Sequence, residues 1–296
     1  MSLDTTGIIG YIKENPKQIA TDAILGLESL KVLTIQPGVR SAMGINKLVT
    51  AATLQAGGCG WSPLDTTTLT KRDLSVTTYK VQEALCDEDL MPTLYQLIGK
   101  GTNDENFSIE TAYVDLKGKV IGNALDSLIW NSVSVASGGS DEFDGLLQII
   151  TDDAPGGNQI SRTGSVVDDM DSLIALLPSA ALASNDLVAY MSRPNFLALM
   201  NELREKNYYH VESGDLNSME MTYPYSNIKV VGVSGFGSVN SVVIANQSNL
   251  FVGTDLESEL TDSKFWFSAD NMEHRFHFGA RIGVQVAIPG EIVIAA

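Results

Sequence analysis

Cysteine, histidine and basic charge are all scarce in this chain of 296 residues, which has two cysteines, three histidines, and 19 Lys or Arg against 36 Asp or Glu. Cys59 and Cys86 stand in neither a CxxC nor a Cys/His spacing, so a zinc site and a disulfide framework have no support, and both read as plain thiols of a reducing cytoplasm. The net charge of −17 argues against a stand-alone DNA or RNA binder, because phosphate contacts need clustered Lys and Arg. No apolar run approaches the roughly 18 residues of a membrane span. Met1-Ser2-Leu3-Asp4 lacks the basic start of a secretory leader, and a soluble, cytosolic chain is expected.

Catalytic motifs are missing as well. Gly235-Phe236-Gly237-Ser238-Val239-Asn240 follows a strand pattern and has Asp255 further on, but it lacks the third glycine and leads into another strand. A dinucleotide loop instead needs a helix N-terminus aimed at the pyrophosphate. Gly232-Val233-Ser234-Gly235-Phe236 lacks the last glycine of a nucleophile elbow. His274 and His277 are three apart and fall on opposite faces of a strand, which disfavours joint metal ligation, and a Cys59–His pair is what chance provides on paper. Asp168-Asp169-Met170-Asp171 has neither the glycine nor the glutamate of a calcium loop and reads as a helix cap. Paired hydrolytic carboxylates leave no local signature, so a soluble α+β hydrolase with dispersed acids is the competing class.

The 44% hydrophobic content is ample for a packed core. Its most informative stretch is a long helical pattern from Glu110 to Val135, stopped by Ser137-Gly138-Gly139-Ser140 and followed by Phe143-Asp144-Gly145-Leu146-Leu147. Val114, Ile121, Leu125 and Leu128, with Ala124 and Ile129 beside them, form its apolar stripe, and Lys117, Lys119, Asn123, Asp126 and Asn131 its wet face. Upstream, Ile19, Ala23, Leu27 and Leu30 make a shorter helical stripe after Pro16. Residues 51–86 are rich in Thr and Gly and too polar for a core, as in an extended arm that needs a neighbour to lie on.

Later, Leu187 to Met191 reads as a buried strand and Ser192-Arg193-Pro194 as the opening of a helix with Phe196, Met200 and Leu203 on one face. Strand-like runs follow at Ile228–Val233, Ser241–Ala245, Leu250–Val252 and Phe265–Phe267. The clearest strand closes the chain, Phe276, Phe278, Ala280, Ile282, Val284, Val286 and Ile288 alternating with polar residues and glycine. Charge is uneven, since residues 1–50 carry five basic and four acidic groups, whereas residues 141–172 carry eight acidic groups and only Arg162; the contrast reads as a solvated acidic surface or, more sharply, as an assembly subunit whose near-neutral arm meets partners.

This order of parts resembles the major capsid proteins of tailed bacteriophages, the Hong Kong 97-type fold shared with encapsulins. The resemblance rests on Phe143-Asp144-Gly145-Leu146-Leu147 after the long helix, Leu187 to Ser192 followed by Pro194 to Lys206, Phe265-Trp266-Phe267, Arg275, Arg281-Ile282-Gly283 and Pro289. It implies an α+β fold with an N-terminal arm at 1–50, an E-loop hairpin at 51–86, and a peripheral domain with the spine helix at 87–145 and 251–282. An axial domain at 146–250 and 283–296 completes it. It also implies self-assembly into pentamers and hexamers of an icosahedral phage head around double-stranded DNA, with no catalytic step and no cofactor.

The expected location is then the virion, after assembly in the host cytoplasm. Separate scaffolding and portal proteins, and in some heads a cementing protein, are the implied partners. E-loop residues Gly57, Gly58, Trp61, Lys71 and Arg72 are the implied intersubunit contacts. Lys71 stands where some relatives carry the lysine of an intersubunit isopeptide bond; its basic and threonine-rich surroundings suit a simple ion pair, and non-covalent shells are expected. An encapsulin-type compartment is the nearest alternative.

Overall fold

A computed structural model describes residues 29–50, 53–54, 57, 65, 67–86, 109–182, 186–206, 219–224, 226–255, 264–271 and 273–296. The helical stripe expected at Ile19, Ala23 and Leu27, the residues Gly58, Cys59 and Trp61, and the side chain of Val114 lie outside the described residues. Along the chain run β1 (Thr34–Pro37), β2 (Ala42–Thr50), β3 (Thr67–Ser75), β4 (Thr77–Cys86), α1 (Ile109–Asn131), α2 (Leu146–Asp153), β5 (Gln159–Ile160), α3 (Val166–Leu176) and α4 (Ser179–Leu182). The second half comprises β6 (Leu187–Ser192), α5 (Arg193–Glu205), β7 (Glu220–Thr222), β8 (Lys229–Val233), β9 (Val242–Asn246), β10 (Leu250–Thr254), β11 (Lys264–Ser268), β12 (Glu273–Val286) and β13 (Val293–Ala295).

The long alternating pattern becomes β12, the axis of a five-stranded sheet. Antiparallel β4 runs along one edge of β12, from Glu273↔Cys86 to Ile282↔Thr77, while β11 and then β10 share the other, and β1 adds in parallel to β10. Phe276, Phe278, Ala280, Ile282, Val284 and Val286 are all buried, as the period of two requires. The opposite face carries glycines for a reason. A Cβ on Gly283 would collide with the Ser75 carbonyl, and one on Gly253 would lie 2.9 Å from Leu74 Cδ2, so β3 can lie close over the sheet only because both are glycine.

The second sheet has six strands in the order β5-β13-β9-β6-β8-β7, with β6 parallel to β8 and antiparallel to β9. Its strands are apolar on both faces. Val188, Tyr190, Val231, Val243, Ala245 and Ile294 face a core shared with α1, α2 and the five-stranded sheet. Leu187, Ala189, Met191, Val230, Val242 and Ile244 face a second core closed by α3 and α5. The βα unit forms as its sequence indicates, with Ser192 accepting a hydrogen bond from the Asn195 N–H and proline in the first turn of α5.

Four sequence expectations are corrected. The long helix stops at Asn131, not Val135, because Ser132 Oγ turns back to donate to the Leu128 carbonyl and the next amides are taken by carboxylates: Val133 N–H by Asp141 and Ser134 N–H by Asp144. Asp126 is not on the wet face but buried, and Ala124 is exposed where the stripe placed it toward the core. The cap of α3 is Ser165, which accepts from the Asp168 N–H, rather than Asp168 or Asp169. Finally, the polar hairpin pairs β2 with β3, from Ala42↔Ser75 to Thr50↔Thr67, so its first strand precedes residue 51, while β4 belongs to the five-stranded sheet.

Candidate functional site

The hairpin β2–β3 is the part of the described fold least committed to a core. At its base Leu74 is fully buried. Two register steps further out at Arg72, and four at Lys47, the strands are held to the body by ion pairs on both sides. Lys47 Nζ lies 3.3 Å from Glu291 in the turn before β13, and the Arg72 guanidinium pairs with Asp153 at the end of α2 and donates to Gln285 Oε1 at 3.1 Å. Gln285 also donates to the Asp73 carbonyl at 3.0 Å. Beyond these anchors exposure rises, with Leu69 at 65% and Leu54 at 99%, and a Cβ on Gly57 would meet open space. A two-stranded ribbon with exposed leucines is marginal alone, and its apolar side chains call for a covering surface.

The residues named from the sequence therefore divide. Arg72 pairs within the chain, and Lys71 lies over Gly44 with Nζ 2.9 Å from Asp73 Oδ1, both side chains largely exposed. Gly57 is described and exposed, whereas Gly58 and Trp61 lie outside the described residues. Between the hairpin base and the loop after α1 is an open cleft of about 420 Å³ whose lining includes Arg72, Asp153, Asp141, Asp144, Phe143 and Val135.

The acidic tract that looked like a surface charge run is largely tied into the fold. Asp144 accepts from Ser134 N–H and Ser137 Oγ; burial raises its carboxyl, but these hydrogen bonds outweigh it and hold the group below the usual aspartate value. This is the structural work of Phe143-Asp144-Gly145: Asp144 closes the turn, while a Cβ on Gly145 would stand 2.7 Å from the Trp130 carbonyl oxygen. Asp169 is buried against Arg162, Asp168 pairs with Lys206, and Asp171 accepts from the Tyr223 hydroxyl. Glu202 reaches across from α5 to accept from Ser165 Oγ and the Val166 and Val167 amides at the start of α3. Burial raises its carboxyl, yet those donors and Lys206 leave it depressed overall.

The glycine-rich turn is explained by packing too. A Cβ on Gly235 would lie 2.5 Å from the Asp126 carbonyl oxygen, so the glycine lets the β8–β9 connection press on α1, and Gly237 has φ +57°. Asp255, the acidic residue further on from that turn, is buried and pairs with Arg281 at 3.1 Å. Among the described residues no group of three His, Cys, Asp or Glu side chains is placed to hold a metal ion, and no helix is long and apolar enough to cross a membrane.

Sequence reasoning missed the junction around Asp126. Its carboxylate accepts from Ser29 N–H at 3.2 Å and Ser234 Oγ at 2.8 Å, and Trp130 Nε1 donates to Ser29 Oγ at 2.7 Å. The incoming segment is further stitched by Tyr190 OH donating to the Val32 carbonyl at 2.8 Å. Trp130 packs on Phe236 and Tyr190 with ring centroids 4.6 Å and 5.3 Å apart. The available signal was Trp130 itself, one helical turn from Asp126, since a large aromatic there implies burial of that side of the helix end.

No protein-family model matches this chain, and no curated protein matches it. Solved structures do. The satellite phage P4 procapsid with its size determination protein Sid aligns at 13% identity over 93% of this chain and 90% of that one, with a TM-score of 0.58. Mycobacterium phage Adephagia aligns at 14% identity over 91% and 89%, TM-score 0.59, and the capsid of a native GTA particle at 11% identity over 93% and 91%, TM-score 0.58. At such identities the likeness is one of fold, and it spans almost the whole chain. The fold is that of phage capsid proteins.

Proposed function

We propose that this chain is the major capsid protein of a tailed phage and assembles into pentamers and hexamers of an icosahedral head around double-stranded DNA, with no catalytic step. The observation that carries the reading is the near-complete alignment with capsid structures, 93% of this chain and 90% of the P4 procapsid chain. In this reading β2–β3 is the E-loop, α1 the spine helix, and the two sheets centre the peripheral and axial domains. The hairpin tip, with Gly57, Gly58 and Trp61, reaches a neighbouring subunit, while Lys71 and Arg72 flank the anchored base from which it projects. Many modest contacts of this kind, repeated by closed symmetry, hold a shell that no single interface would hold. The net charge of −17 suits a container that repels packed DNA at short range instead of adhering to it. Separate scaffolding and portal proteins complete the head, and its place is the virion.

Deleting residues 54–66 and closing β2 to β3 with a short turn tests this. Circular dichroism should show a folded subunit, and size-exclusion chromatography should show loss of the large assemblies formed by the intact chain. Assemblies unaffected by the deletion would remove the hairpin from the contact, and an intact chain that elutes as a monomer or dimer at assembly concentrations would oppose the capsid reading.

A further inference from the structure

The open face of the five-stranded sheet is basic in an acidic chain. β3 lies over the Gly283 end of β12, and the register leaves the other end bare: Ala84, Arg275 and Trp266 stand side by side across β4, β12 and β11, with Lys264 next to them on β11 and Lys80 and Arg281 further along. Lys80 and Lys264 are exposed, Trp266 is 41% exposed, and the Arg275 and Arg281 side chains are about as open. Among the described residues these four cations meet two carboxylates, Glu273 at 2.8 Å from Arg275 and Asp255 at 3.1 Å from Arg281, so the face is positive where the whole chain stands at −17. Two such chains repel one another unless regions of opposite sign are brought together. Nucleic acid is the poorer occupant, because two of the four cations already face carboxylates of their own chain and a polyanion is held by uncompensated Lys and Arg.

The complementary feature is the loop between α1 and α2. Residues 135–140 and Glu142 are exposed, Val135 to 72%, so the loop presents an apolar side chain together with the Asp141 and Glu142 carboxylates. Its shape is set in advance: Gly139 N–H donates to the Ser134 carbonyl at 2.8 Å, Asp141 N–H donates to the Val133 carbonyl at 3.0 Å, and Gly138 supplies a left-handed turn at φ +92°. A preshaped knob loses little freedom on binding. It is held away from the basic face of its own subunit. Glu142 N–H donates to the Tyr79 hydroxyl at 3.4 Å, which fixes the loop beside β4, whereas Trp266 lies two strands across, about 10 Å, and level with Ala84, five residues along β4, about 17 Å.

We propose that the 135–142 loop of one copy docks on the Lys264–Trp266–Arg275 face of a second copy, with Val135 against the Trp266 indole and the Asp141 and Glu142 carboxylates against Lys264 and Arg275. Knob and receptor lie at different edges of the subunit, so the contact is head-to-tail and propagates around a ring. The inference rests on the capsid reading and names the surfaces through which neighbours in a ring are joined.

Charge exchange tests it. Glu142→Lys and Lys264→Glu, each alone in the full chain, should raise the concentration needed for assembly roughly tenfold, read by size-exclusion chromatography with light scattering, and the two together should restore assembly to near the parent. Cross-linking gives a second readout that leaves the contact side chains in place. In a Cys59→Ser, Cys86→Ser background, Ala136→Cys with Ala84→Cys treated with a short bismaleimide should give a denaturing-gel ladder ending at pentamer and hexamer, and the control Ala136→Cys with Ala124→Cys should link at roughly a tenth of that yield or less. A double charge variant no better than the single ones, a ladder as strong in the control, or linkage that stops at dimers, in a parent chain that still forms large assemblies, would overturn this contact and leave the capsid reading standing. A parent that stays monomeric at assembly concentrations overturns both. Tryptophan fluorescence quenched by a double-stranded oligonucleotide in the parent but not in Lys264→Glu, with no ladder, would give the face to nucleic acid and overturn the proposal as well.

Discussion

Replacing Asp126 by alanine should destabilise the subunit far more than replacing it by asparagine. Asp126 is 1% exposed and accepts from Ser29 N–H and Ser234 Oγ. Alanine strands a buried amide with no acceptor, at about 1–3 kcal/mol, and the Ser234 hydroxyl adds a further loss, for a total of about 2–4 kcal/mol. Asparagine keeps an oxygen for Ser29 N–H and presents an amide NH2 to Ser234, whose hydroxyl turns from donor to acceptor, so the expected cost is under about 1 kcal/mol. At about 2 °C per kcal/mol for a chain of this size, alanine should lower Tm by about 4–8 °C and asparagine by less than about 2 °C. Thermal unfolding followed by near-ultraviolet circular dichroism measures both, and Trp130 fluorescence should change in the alanine variant alone because its indole N–H bonds to Ser29 Oγ. Equal melting of the two variants, or alanine melting at or above the parent as a helix-favouring change on an exposed face would, refutes the junction.

Within α1, Leu125→Asp should prevent accumulation of soluble protein, because a buried unpaired carboxylate costs several kcal/mol in order of magnitude, whereas Asn123→Asp on the exposed side should express and melt like the parent; similar behaviour of the two would misplace the buried face. The depressed Glu202 carboxyl contributes stability that is complete above its ordinary value of 4.5 and is lost as pH falls through the lower folded value, so Glu202→Gln should weaken the protein at neutral pH and show a shallower loss below pH 4.5 in urea titrations; parallel pH profiles would count against the cap on α3. Lys71 is paired with Asp73, and denaturing electrophoresis of assembled particles should give one band at the monomer mass; a reduction-resistant ladder that vanishes in Lys71→Ala would establish covalent linkage.

Much of the fold was legible because burial leaves a periodic trace. β12 alternates in sequence as it alternates in space, Ser192-Arg193-Pro194 opens α5, and the apolar runs at 187–192 and 242–246 become strands covered on both faces. Long-range polar pairing left no such trace. Asp126 on a helical wheel is one more polar residue, and only Ser29 and Ser234, distant in sequence, make it an interior group. The end of α1 was misread by four residues because Asp141 and Asp144 fold back to take amides that a longer helix would have bonded internally. The hairpin's first strand escaped notice because β2 and β3 are joined across residues 51–66, and neither has a strong apolar face to mark it. The acidic tract at 141–172 looked like a solvated surface for the same reason, since Arg72, Lys206 and Tyr223, which lie outside it in sequence, meet it only in three dimensions.

Negative-stain electron microscopy of the purified full chain is the most direct test of the capsid assignment. Closed, regular shells of uniform diameter, with capsomers of five- and sixfold symmetry in class averages, are the expected images. Single particles of roughly the monomer's 31.8 kDa, persisting across salt and concentration, would contradict it.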